Sequence, residues 1–572
     1  MRDVTSIFPD LKGYDTDERT RRYLVPKRVM WKCGDVSGEE NILKPVSPQI
    51  TLDQHDCLTL TNGSDGENAA ILLDFGREIA GSIRILTWFV RQHGEFNAYD
   101  QSMAQFRIRF GESVSEAMAE FGEKNTTNNH APRDFTMRVP HYSSVETNES
   151  GFRFARIDLL TKNTSVTIKA IQGVFMFRNV EYKGNFRCND ELVNRIYDTA
   201  AYTVHLNMQE YLWDGIKRDR LVWIGDMQTE VMAIEELFGF NTVVPKSLDL
   251  IRDETPVGSW MNGIQSYSLW WIFEHYDWYM AFGNKEYLFE QKDYMIALLK
   301  VVCERVDDNG KIIFGEDERV FIDWPNNDNQ PATKAAYQGM TIMTLEKGAE
   351  LCEIFGDFET AKLCRETRER MFNYIPEAYG SKQAGSFLSV SGLCDAKKMA
   401  DDLLLVGGAK GFSTFLGFYT LAAIAKAGKF TEAIDCMKEY WGAMLNMGAT
   451  SFWEDFDMDW LDNAAPIDDF VPEGKKDIHG DYGKYCYIKF RHSLCHGWSG
   501  GPVPYLTQYV AGITMLEPGC KKLSVKPNLS GLEWFECDYP TPYGIVSVKA
   551  KKLPDGSEDI QINAPAEVEI VR

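Results

Sequence analysis

The sequence lacks the features of a membrane protein and of a small disulfide-rich secreted protein. No uncharged apolar stretch reaches the ~18 residues that a spanning helix needs. The 12 cysteines are scattered without a C-x-x-C pair, which fits neither a zinc site nor a dense disulfide framework. The segment up to Arg22 has no apolar run of signal-peptide length. We therefore expect reduced thiols, a cytoplasmic location and no membrane partner.

Positive charge is also scarce. Lys and Arg number 61 against 84 Asp and Glu, giving a formal charge of −23. A field of this sign repels phosphate backbones and anionic headgroups, which argues against nucleic acid as a partner. Aromatic residues are abundant in comparison, at 13% of the chain. Flat aromatic faces suit the C–H faces of sugars, and large hydrophobic cores would account for them equally well.

The N-terminal third has the pattern of a β domain. At 572 residues the chain is too long for one core, so several domains are expected. Over residues 1–185, short segments rich in β-branched and aromatic residues are separated by clusters of Gly, Asn and Ser. Some of these segments alternate apolar with polar residues, as Phe106–Phe110 does, which buries one face of a sheet. The pattern predicts an N-terminal β-sandwich domain.

The periodicity changes twice further along the chain. Over 186–509, apolar residues recur at three- and four-residue spacing, in pairs of segments joined at Gly283, Gly356 and Gly428. Repeated antiparallel helical hairpins predict an (α/α)6 toroid as the catalytic domain, and the irregular spacing of the pairs weighs against a solenoid. Strand patterns return over 510–572 and predict a C-terminal β-sandwich domain.

The densest chemical segment runs from Asp214 to Asp226. It holds three carboxylates and two arginines beside Trp223 in 13 residues, directly after an apolar helical pattern. Gly215 and Gly225 indicate a loop, which we place at the rim of the toroid. A carboxylic acid among aromatics has a raised pKa and can hold a proton at neutral pH. A solvated loop of ion pairs is the alternative interpretation.

A second acidic position lies far downstream, where Glu454 follows Trp453. Inverting glycosidases need two carboxyl groups roughly 6.5–9.5 Å apart, with room between them for the attacking water. Two loops at one rim of a toroid can supply that separation. The long stretch of sequence between the two acids is therefore no obstacle to their forming one site.

The segment from Asp214 to Asp226 resembles the D-C-P-x-R-E-x-x-G-W-x-G-D motif of glycoside hydrolase family 78, the inverting α-L-rhamnosidases. Five residues match at the same spacing: Asp214, Arg218, Trp223, Gly225 and Asp226. The resemblance implies that Asp219 is the general acid. The dipeptide Trp453-Glu454 resembles the family's Trp-Glu, whose Glu activates water.

Further motifs extend the resemblance over nearly the whole chain. Asp323-Trp324 is similar to a mid-barrel Asp-Trp of the family, and Ser493–His496 is similar to its Ser-x-Asn-His, whose His lines the sugar site. The flanking β domains carry similar segments: Asp74–Gly76 with Gly81, Phe110–Ser113, Pro518-Gly519 and Thr541–Gly544. The family fold is a helical toroid between β-sandwich domains.

The chain departs from the family pattern at several positions. Gly215-Ile216 replaces Cys-Pro, and Cys495 replaces the Asn before the histidine. Asp219 stands where the family has Glu, so the acid is one methylene shorter and its proton lies farther back. An insertion over roughly 457–483 separates Glu454 from His496. These departures bear on the acid role and on the identity of the sugar.

Two other motifs are accounted for without a separate function. Gly497–Gly501 fits the G-x-S-x-G elbow of α/β-hydrolases, but all nine histidines precede Ser499, where that fold needs one after it. The match is an accident or a tight helix start near the sugar site. The spacing of Asp455, Asp457 and Asp459 is similar to a calcium loop without its glycine and its final Glu, so a solvated acidic insert is the preferred interpretation.

The sequence predicts an inverting glycosidase that cleaves a terminal α-L-rhamnosyl or related residue, with Asp219 as acid and Glu454 as base. Substrate would be bound by Asp214, Arg218, Trp223, Asp226, Asp323, Trp324, Trp453 and His496. No metal or organic cofactor is implied. For Trp270, Trp271 and Trp278, the sugar cleft and the toroid core are equal alternatives.

Two other functions stay open at this point. A non-catalytic sugar-binding relative is compatible with Asp in place of Glu at position 219. A polysaccharide lyase on a similar toroid would need a positive site for uronates, which the acidic motif would repel. The sequence also leaves a homodimer open as an oligomeric state.

Overall fold

A computed structural model of the chain describes residues 4–14, 16–52, 56–93, 103–316, 318–485 and 487–572. It shows an N-terminal β domain, a helical toroid and C-terminal β-sheets, so the predicted fold class is confirmed. No helix within these ranges is long and apolar enough to cross a bilayer.

The described strands of the N-terminal domain form one hydrogen-bonded sheet, in the order β3-β4-β10-β5-β9-β6-β7, with β1 on β10 and β2 and β8 on β5. The strands are β1 (Arg19–Leu24), β2 (Arg28–Cys33), β3 (Asp35–Ser37), β4 (Leu58–Asn62), β5 (Ala70–Gln92), β6 (Met103–Gly111), β7 (Asp134–Pro140), β8 (Ser143–Glu146), β9 (Ser150–Leu159) and β10 (Thr164–Arg178). Two short helices, α1 (Val4–Ile7) and α2 (Val114–Met118), accompany them.

The long strands β5 and β10 hold this sheet together. They pair antiparallel from Gln92 opposite Thr164 to Gly81 opposite Phe175. Gly81 has a φ of 152°, and a Cβ there would lie 1.9 Å from the carbonyl oxygen of Val174, so only glycine fits. Alternate residues of β4, β5, β6, β9 and β10 bury one apolar core.

The toroid is built from α3 (Glu191–Asn207), α4 (Met227–Leu237), α5 (Val243–Glu254), α6 (Gln265–Phe282), α7 (Lys285–Glu290), α8 (Lys292–Glu304), α9 (Gln330–Phe355), α10 (Phe358–Met371), α11 (Lys382–Val390), α12 (Ala396–Met399), α13 (Gly417–Lys426), α14 (Phe430–Asn446) and α15 (Pro502–Tyr505). Gly283 and Gly356 end α6 and α9 in the left-handed conformation, at φ 65° and 76°. Because a left-handed glycine commonly ends a helix, these glycines allowed the helical hairpins to be predicted from the sequence.

The C-terminal strands form two sheets, β11-β18-β19-β20 and β16-β17-β21. They are β11 (Asn185–Cys188), β16 (Ile513–Glu517), β17 (Lys522–Val525), β18 (Trp534–Thr541), β19 (Gly544–Lys552), β20 (Glu558–Asn563) and β21 (Glu569–Val571). The sequence pattern did not predict β11 or β16. Because β11 pairs with β18, the chain enters the C-terminal sheet before it builds the toroid.

The insertion between Glu454 and His496 is not simply a solvated acidic segment, so that expectation was wrong. It carries a pair of short strands, β12 (Ala464–Ala465) with β13 (Lys476–Asp477), and a second pair, β14 (Gly483–Lys484) with β15 (Tyr487–Ile488), directly follows it. Its Trp460, Ile478 and His479 are buried against the rest of the fold. Asp459 is exposed and pairs with Lys410, whereas Asp455 and Asp477 are buried.

Candidate active site

The loop between α3 and α4 is pinned to the segment around His496. The backbone N–H of Leu221 donates to Asp214 Oδ1 at 3.0 Å, and the N–H of Gly497 donates to the Asp214 carbonyl at 2.8 Å. Gly215 forms an isolated β-bridge with His496. A Cβ on Gly215 would lie 2.7 Å from the Arg218 carbonyl oxygen, so the glycine permits this close turn. The two predicted sugar-site segments therefore form one rim.

One guanidinium joins the two predicted catalytic carboxylates. Arg218 Nη1 donates to Asp219 Oδ1 at 3.1 Å, and Nη2 donates to Glu454 Oε2 at 3.0 Å. Its Nε donates to the carbonyl of Arg491 at 2.9 Å, and its plane lies over the Tyr487 ring, 4.2 Å from the centroid. These contacts fix the guanidinium on all sides, and Arg218 in turn fixes the separation of the two acids.

Asp219 is the more accessible of the two acids, with 13% of its side chain exposed. Its Oδ2 accepts a hydrogen bond from Trp223 Nε1 at 3.1 Å. His130 places Nε2 3.3 Å from Oδ1. His130 comes from the N-terminal β domain, which thus contributes a side chain to the site. Nothing in the sequence around His130 marked it.

Glu454 is almost fully buried, with 2% of its side chain exposed. Its Oε2 also accepts the backbone N–H of Ser493 at 3.3 Å, and its carbonyl accepts Trp498 Nε1 at 2.8 Å. Burial raises the pKa of Glu454 from 4.5 to about 7, although the charge of Arg218 lowers it. A carboxyl group with this pKa can exchange a proton near neutral pH.

His496 stands among three carboxylates. Its Nε2 lies 3.7 Å from an oxygen of each of Asp214, Asp226 and Glu454. Burial lowers the pKa of His496 well below 6.5. Burial and the neighbouring acids raise the pKa of Asp214 and of Asp226 well above 3.8. The ligand atoms of Asp214, Asp226 and His496 lie within 4.8 Å of one another, so this trio has the composition of a metal site.

A cavity of about 250 Å³ opens beside these carboxylates. Its wall combines acids with aromatic rings: Asp214, Asp219, Trp223, Asp226, Ile264, Tyr267, Phe321, Trp324, Asn327, Tyr487 and Trp498. Tyr267 donates its hydroxyl to Asp226 Oδ1 and orients that acid. Glu454 and His496 lie behind this wall. Glu454 binds Arg218, and His496 lies against the wall residue Asp226. An enclosed site with acids and flat rings suits a polyhydroxylated ligand.

Besides Arg218 and His496, two more predicted substrate contacts lie away from the wall that the described residues form. Trp453 is 1% exposed and packs edge-on against Phe456 and His492. Asp323 is buried behind Trp324, whose backbone N–H it accepts at 2.8 Å, and burial raises its pKa to about 7. Both residues therefore support the walls of the site from behind.

The structure also assigns positions to the three tryptophans and to the G-x-S-x-G motif. Trp270, Trp271 and Trp278 are buried in the toroid core, which decides between their two interpretations. Ser499 is fully buried and donates to the His496 carbonyl at 2.6 Å, so Gly497–Gly500 is a tight helix start.

The hairpin β14–β15, which directly follows the insertion, contributes to the site. Tyr485 and Tyr487 pack against Trp324, with ring centroids 5.8 and 5.1 Å away. Tyr487 thereby links the ring of Trp324 to the guanidinium of Arg218. The insertion was expected only as a departure from the family pattern, and the contribution of the hairpin beside it to the wall could not be predicted from the sequence.

Residues 181–405 match the family model of the bacterial alpha-L-rhamnosidase 6 hairpin glycosidase domain. This part of the toroid is therefore similar to the six-hairpin glycosidase domain of bacterial α-L-rhamnosidases. The resemblance stated from the sequence is thus confirmed. A search of curated proteins gave no match.

Solved α-L-rhamnosidase structures share this fold. The GH78 family rhamnosidase of Bacillus sp. GL1 superposes with a TM-score of 0.73 at 20% identity, over 93% of this chain and 55% of that one. The rhamnosidase from Klebsiella oxytoca with rhamnose bound gives a TM-score of 0.66 at 20% identity, over 86% of this chain and 96% of that one. This chain spans just over half the length of the Bacillus protein. At such identities the likeness concerns the fold.

Proposed function

We propose that this protein is an inverting glycoside hydrolase that releases a terminal α-L-rhamnosyl residue. The observation that carries the proposal is the bridge that Arg218 forms between Asp219 and Glu454 beside the aromatic cavity. Each carboxylate binds a separate nitrogen of one guanidinium, so both acids are held at one place beside the cavity. An inverting glycosidase needs two such carboxyl groups, roughly 6.5–9.5 Å apart, to admit a water molecule.

In the proposed reaction, Asp219 protonates the glycosidic oxygen while Glu454 removes a proton from water. The water attacks the anomeric carbon from the face opposite the leaving group. Both oxygens of Asp219 face hydrogen-bond donors in the free protein. We expect the glycosidic oxygen to take the place of one of them, since catalytic hydrogen bonds often form only in the substrate complex.

The cavity wall also supports the choice of sugar. L-Rhamnose is a deoxy sugar, with hydroxyl groups on one part of the ring and a methyl group on another. Asp214 and Asp226 offer acceptors for hydroxyls, whereas Ile264 and Phe321 offer apolar surface for a methyl group. Trp223 and Trp324 offer flat faces for the C–H side of the ring. The Klebsiella relative has rhamnose bound.

A panel of nitrophenyl glycosides that includes the α-L-rhamnoside tests this proposal. We expect release of nitrophenol from the α-L-rhamnoside, and none from β-D-glucoside or α-D-mannoside. Asp459→Asn is the matched control for acid-to-amide variants, because Asp459 is exposed and pairs only with Lys410. Preference for another glycoside would overturn the choice of rhamnose, and no turnover of any glycoside would overturn the hydrolase.

The second candidate function is a sugar-binding protein without turnover. Asp219 is shorter than the family acid, and Glu454 lies behind the cavity wall, which are the two observations that favour it. Binding of L-rhamnose by calorimetry, together with no release of nitrophenol, would identify this function.

A further inference from the structure

A second cavity lies at the opposite end of the toroid from the candidate active site. Helix α4 begins next to Asp226, and Glu235 lies nine residues later, about 14 Å further along the helix axis. Here α4 and its neighbouring helices meet the C-terminal sheets and leave a space of about 340 Å³, larger than the catalytic cavity. The space opens beside exposed Thr514 of β16.

The wall of this cavity carries more carboxyl groups than cationic groups. Three carboxyl groups line it, from Glu235, Glu236 and Asp277, against the single ammonium group of Lys347. Lys347 is already bound to Asp277 at 2.5 Å. Glu236 accepts a hydrogen bond from Gln508 Nε2 at 3.0 Å. Among the described residues of this wall, no other cation is left to pair with Glu235.

The polar groups left without a partner on this wall are acceptors. Glu235 is 4% exposed, and its Oε1 has no hydrogen bond. Gln228 Oε1 is likewise unpartnered, while its Nε2 is used by Asp277 at 3.1 Å. A buried carboxyl oxygen without a donor costs about 1–3 kcal/mol or more, so an orphan of this kind in a cavity indicates a missing donor.

Aromatic rings form the rest of the wall: Phe273, Tyr276, Phe418, Tyr419, Tyr509 and Tyr539. Ring faces attract cations, and a desolvated site strengthens the attraction. Lys347 already uses this property, with Nζ 4.0 Å from the Tyr276 ring centroid. The tyrosine hydroxyls can act as donors or acceptors, so they do not change the excess of unpartnered acceptors on this wall.

The geometry points to a binding site for a small organic cation that carries N–H donors, such as a primary ammonium compound. Its ammonium group would donate to Glu235 and to Gln228 Oε1, and its carbon skeleton would lie against the aromatic rings. Burial raises the pKa of Glu235 well above 4.5, so a neutral molecule of the same size would leave it protonated, whereas an ammonium group would supply the counterion that favours its ionised form. The site is separate from the catalytic cavity and does not depend on the proposed hydrolase activity.

Calorimetry with n-butylammonium, and with n-butanol as its neutral counterpart, tests the site on the full chain. We expect the ammonium compound to bind at least about tenfold more tightly than the alcohol, the scale of one charged hydrogen bond. The variant Glu235→Gln should weaken ammonium binding by a similar factor. Equal affinity for both probes, or no heat with either, would overturn the proposal.

Two further variants make the result specific. Glu274→Gln is the matched control, because Glu274 is also fully buried with both oxygens unpartnered but lies outside the wall of the cavity, so ammonium binding should not change. Asp219→Asn alters the catalytic cavity, so binding that survives it belongs to the second site, and binding that it abolishes would refute the assignment. If Glu235→Gln unfolds, Gln228→Met, which removes the other proposed acceptor, is expected to weaken ammonium binding instead.

Discussion

Two buried clusters of acids with a histidine lie close together in this protein, and they differ in how their charges are balanced. We call them the inner cluster (Glu112, Glu116, Lys217 and His479) and the sugar-side cluster (Asp214, Asp226, Glu454 and His496). In each, two carboxylates and the histidine have ligand atoms within 4.8 Å of one another. Composition and proximity alone would therefore assign both clusters the same role.

In the inner cluster, a lysine compensates the carboxylates and the histidine has its hydrogen-bond partners. Lys217 Nζ lies 2.9 Å from Glu112 and 3.1 Å from Glu116, and it also donates to the carbonyl of His492 at 2.6 Å. His479 has partners at both ring nitrogens, Ser113 Oγ at 2.8 Å and the His492 carbonyl at 3.0 Å. Such a cluster joins the β domain to the toroid and has no capacity left for a ligand.

The sugar-side cluster is left incomplete and faces a cavity. Its three carboxylates surround a histidine whose pKa is lowered, and His496 Nδ1 has no partner. Arg218 compensates Glu454 alone among the three. The two clusters therefore differ in that a lysine compensates the acids of the inner cluster, whereas two acids of the sugar-side cluster line a cavity without a compensating cation. The inner cluster also has a support role, since Glu112 accepts the N–H of Leu494, next to the Ser493 that binds Glu454.

The largest expected effect is on turnover when an acid of the site is neutralised. Asp219→Asn and Glu454→Gln should each lower kcat by about 10²–10⁴-fold, because each removes a proton-transfer group. Thermal unfolding should stay within a few degrees of the wild type, since neither variant removes a packed side chain. Turnover close to wild type in either variant would contradict the assigned roles, and Asp459→Asn serves as the control.

Neutralising the inner cluster should instead reduce stability. Lys217→Met leaves two buried glutamates uncompensated, and we expect a loss of about 3–5 kcal/mol in the free energy of unfolding by urea. Lys410→Met is the matched control, because Lys410 pairs with Asp459 at the surface and should be silent. A Lys217→Met variant as stable as the wild type would show that the inner cluster is not structural.

Neutralising an acid of the sugar-side cluster should instead increase the free energy of unfolding. Asp214→Asn keeps the acceptor for Leu221 and removes a buried carboxyl group that no cation compensates. We expect unfolding in urea at pH 8 to show a gain of about 1–3 kcal/mol, together with weaker sugar binding. A loss of stability would place Asp214 with the satisfied acids of the inner cluster.

The smallest expected effect is a divergence between activity and stability with pH. The pKa of Glu454 is raised from 4.5 in the unfolded chain to about 7 in the folded protein. The folded state therefore binds more protons between these values, and this contribution to stability is lost as the pH rises from 4.5 to 7. The ionised base increases over the same window, so kcat/KM should rise toward pH 7 as long as Asp219 keeps the proton that it donates. A profile of kcat/KM that is flat from pH 5 to 8 would contradict this role.

The parts of the site that the sequence predicted lie on two local segments. The loop from Asp214 to Asp226 and the Glu454 and His496 positions could be found because each carries its chemistry in a short run of residues. Trp453 was placed on the wrong side because neighbouring residues of an extended segment point in opposite directions. Glu454 reaches Arg218, whereas Trp453 packs against Phe456 in the core.

The remaining wall could not be predicted because it depends on how distant parts of the chain pack. His130 reaches Asp219 from the β domain, and Tyr487 reaches Arg218 from the hairpin β14–β15. Neither has a periodic or charged neighbourhood that marks it. Lys217 stood inside the predicted motif, but its partners Glu112 and Glu116 lie about a hundred residues away, so its role as a buried counterion appears only in the fold.

Proton NMR of the hydrolysis of an aryl α-L-rhamnoside tests the central claim most directly. The spectrum identifies the first anomer of the free sugar before mutarotation mixes the two forms. If Asp219 and Glu454 act as acid and base with water between them, the first product is the β-anomer, with inversion at the anomeric carbon. First release of the α-anomer would mean retention through a covalent intermediate and would contradict the account.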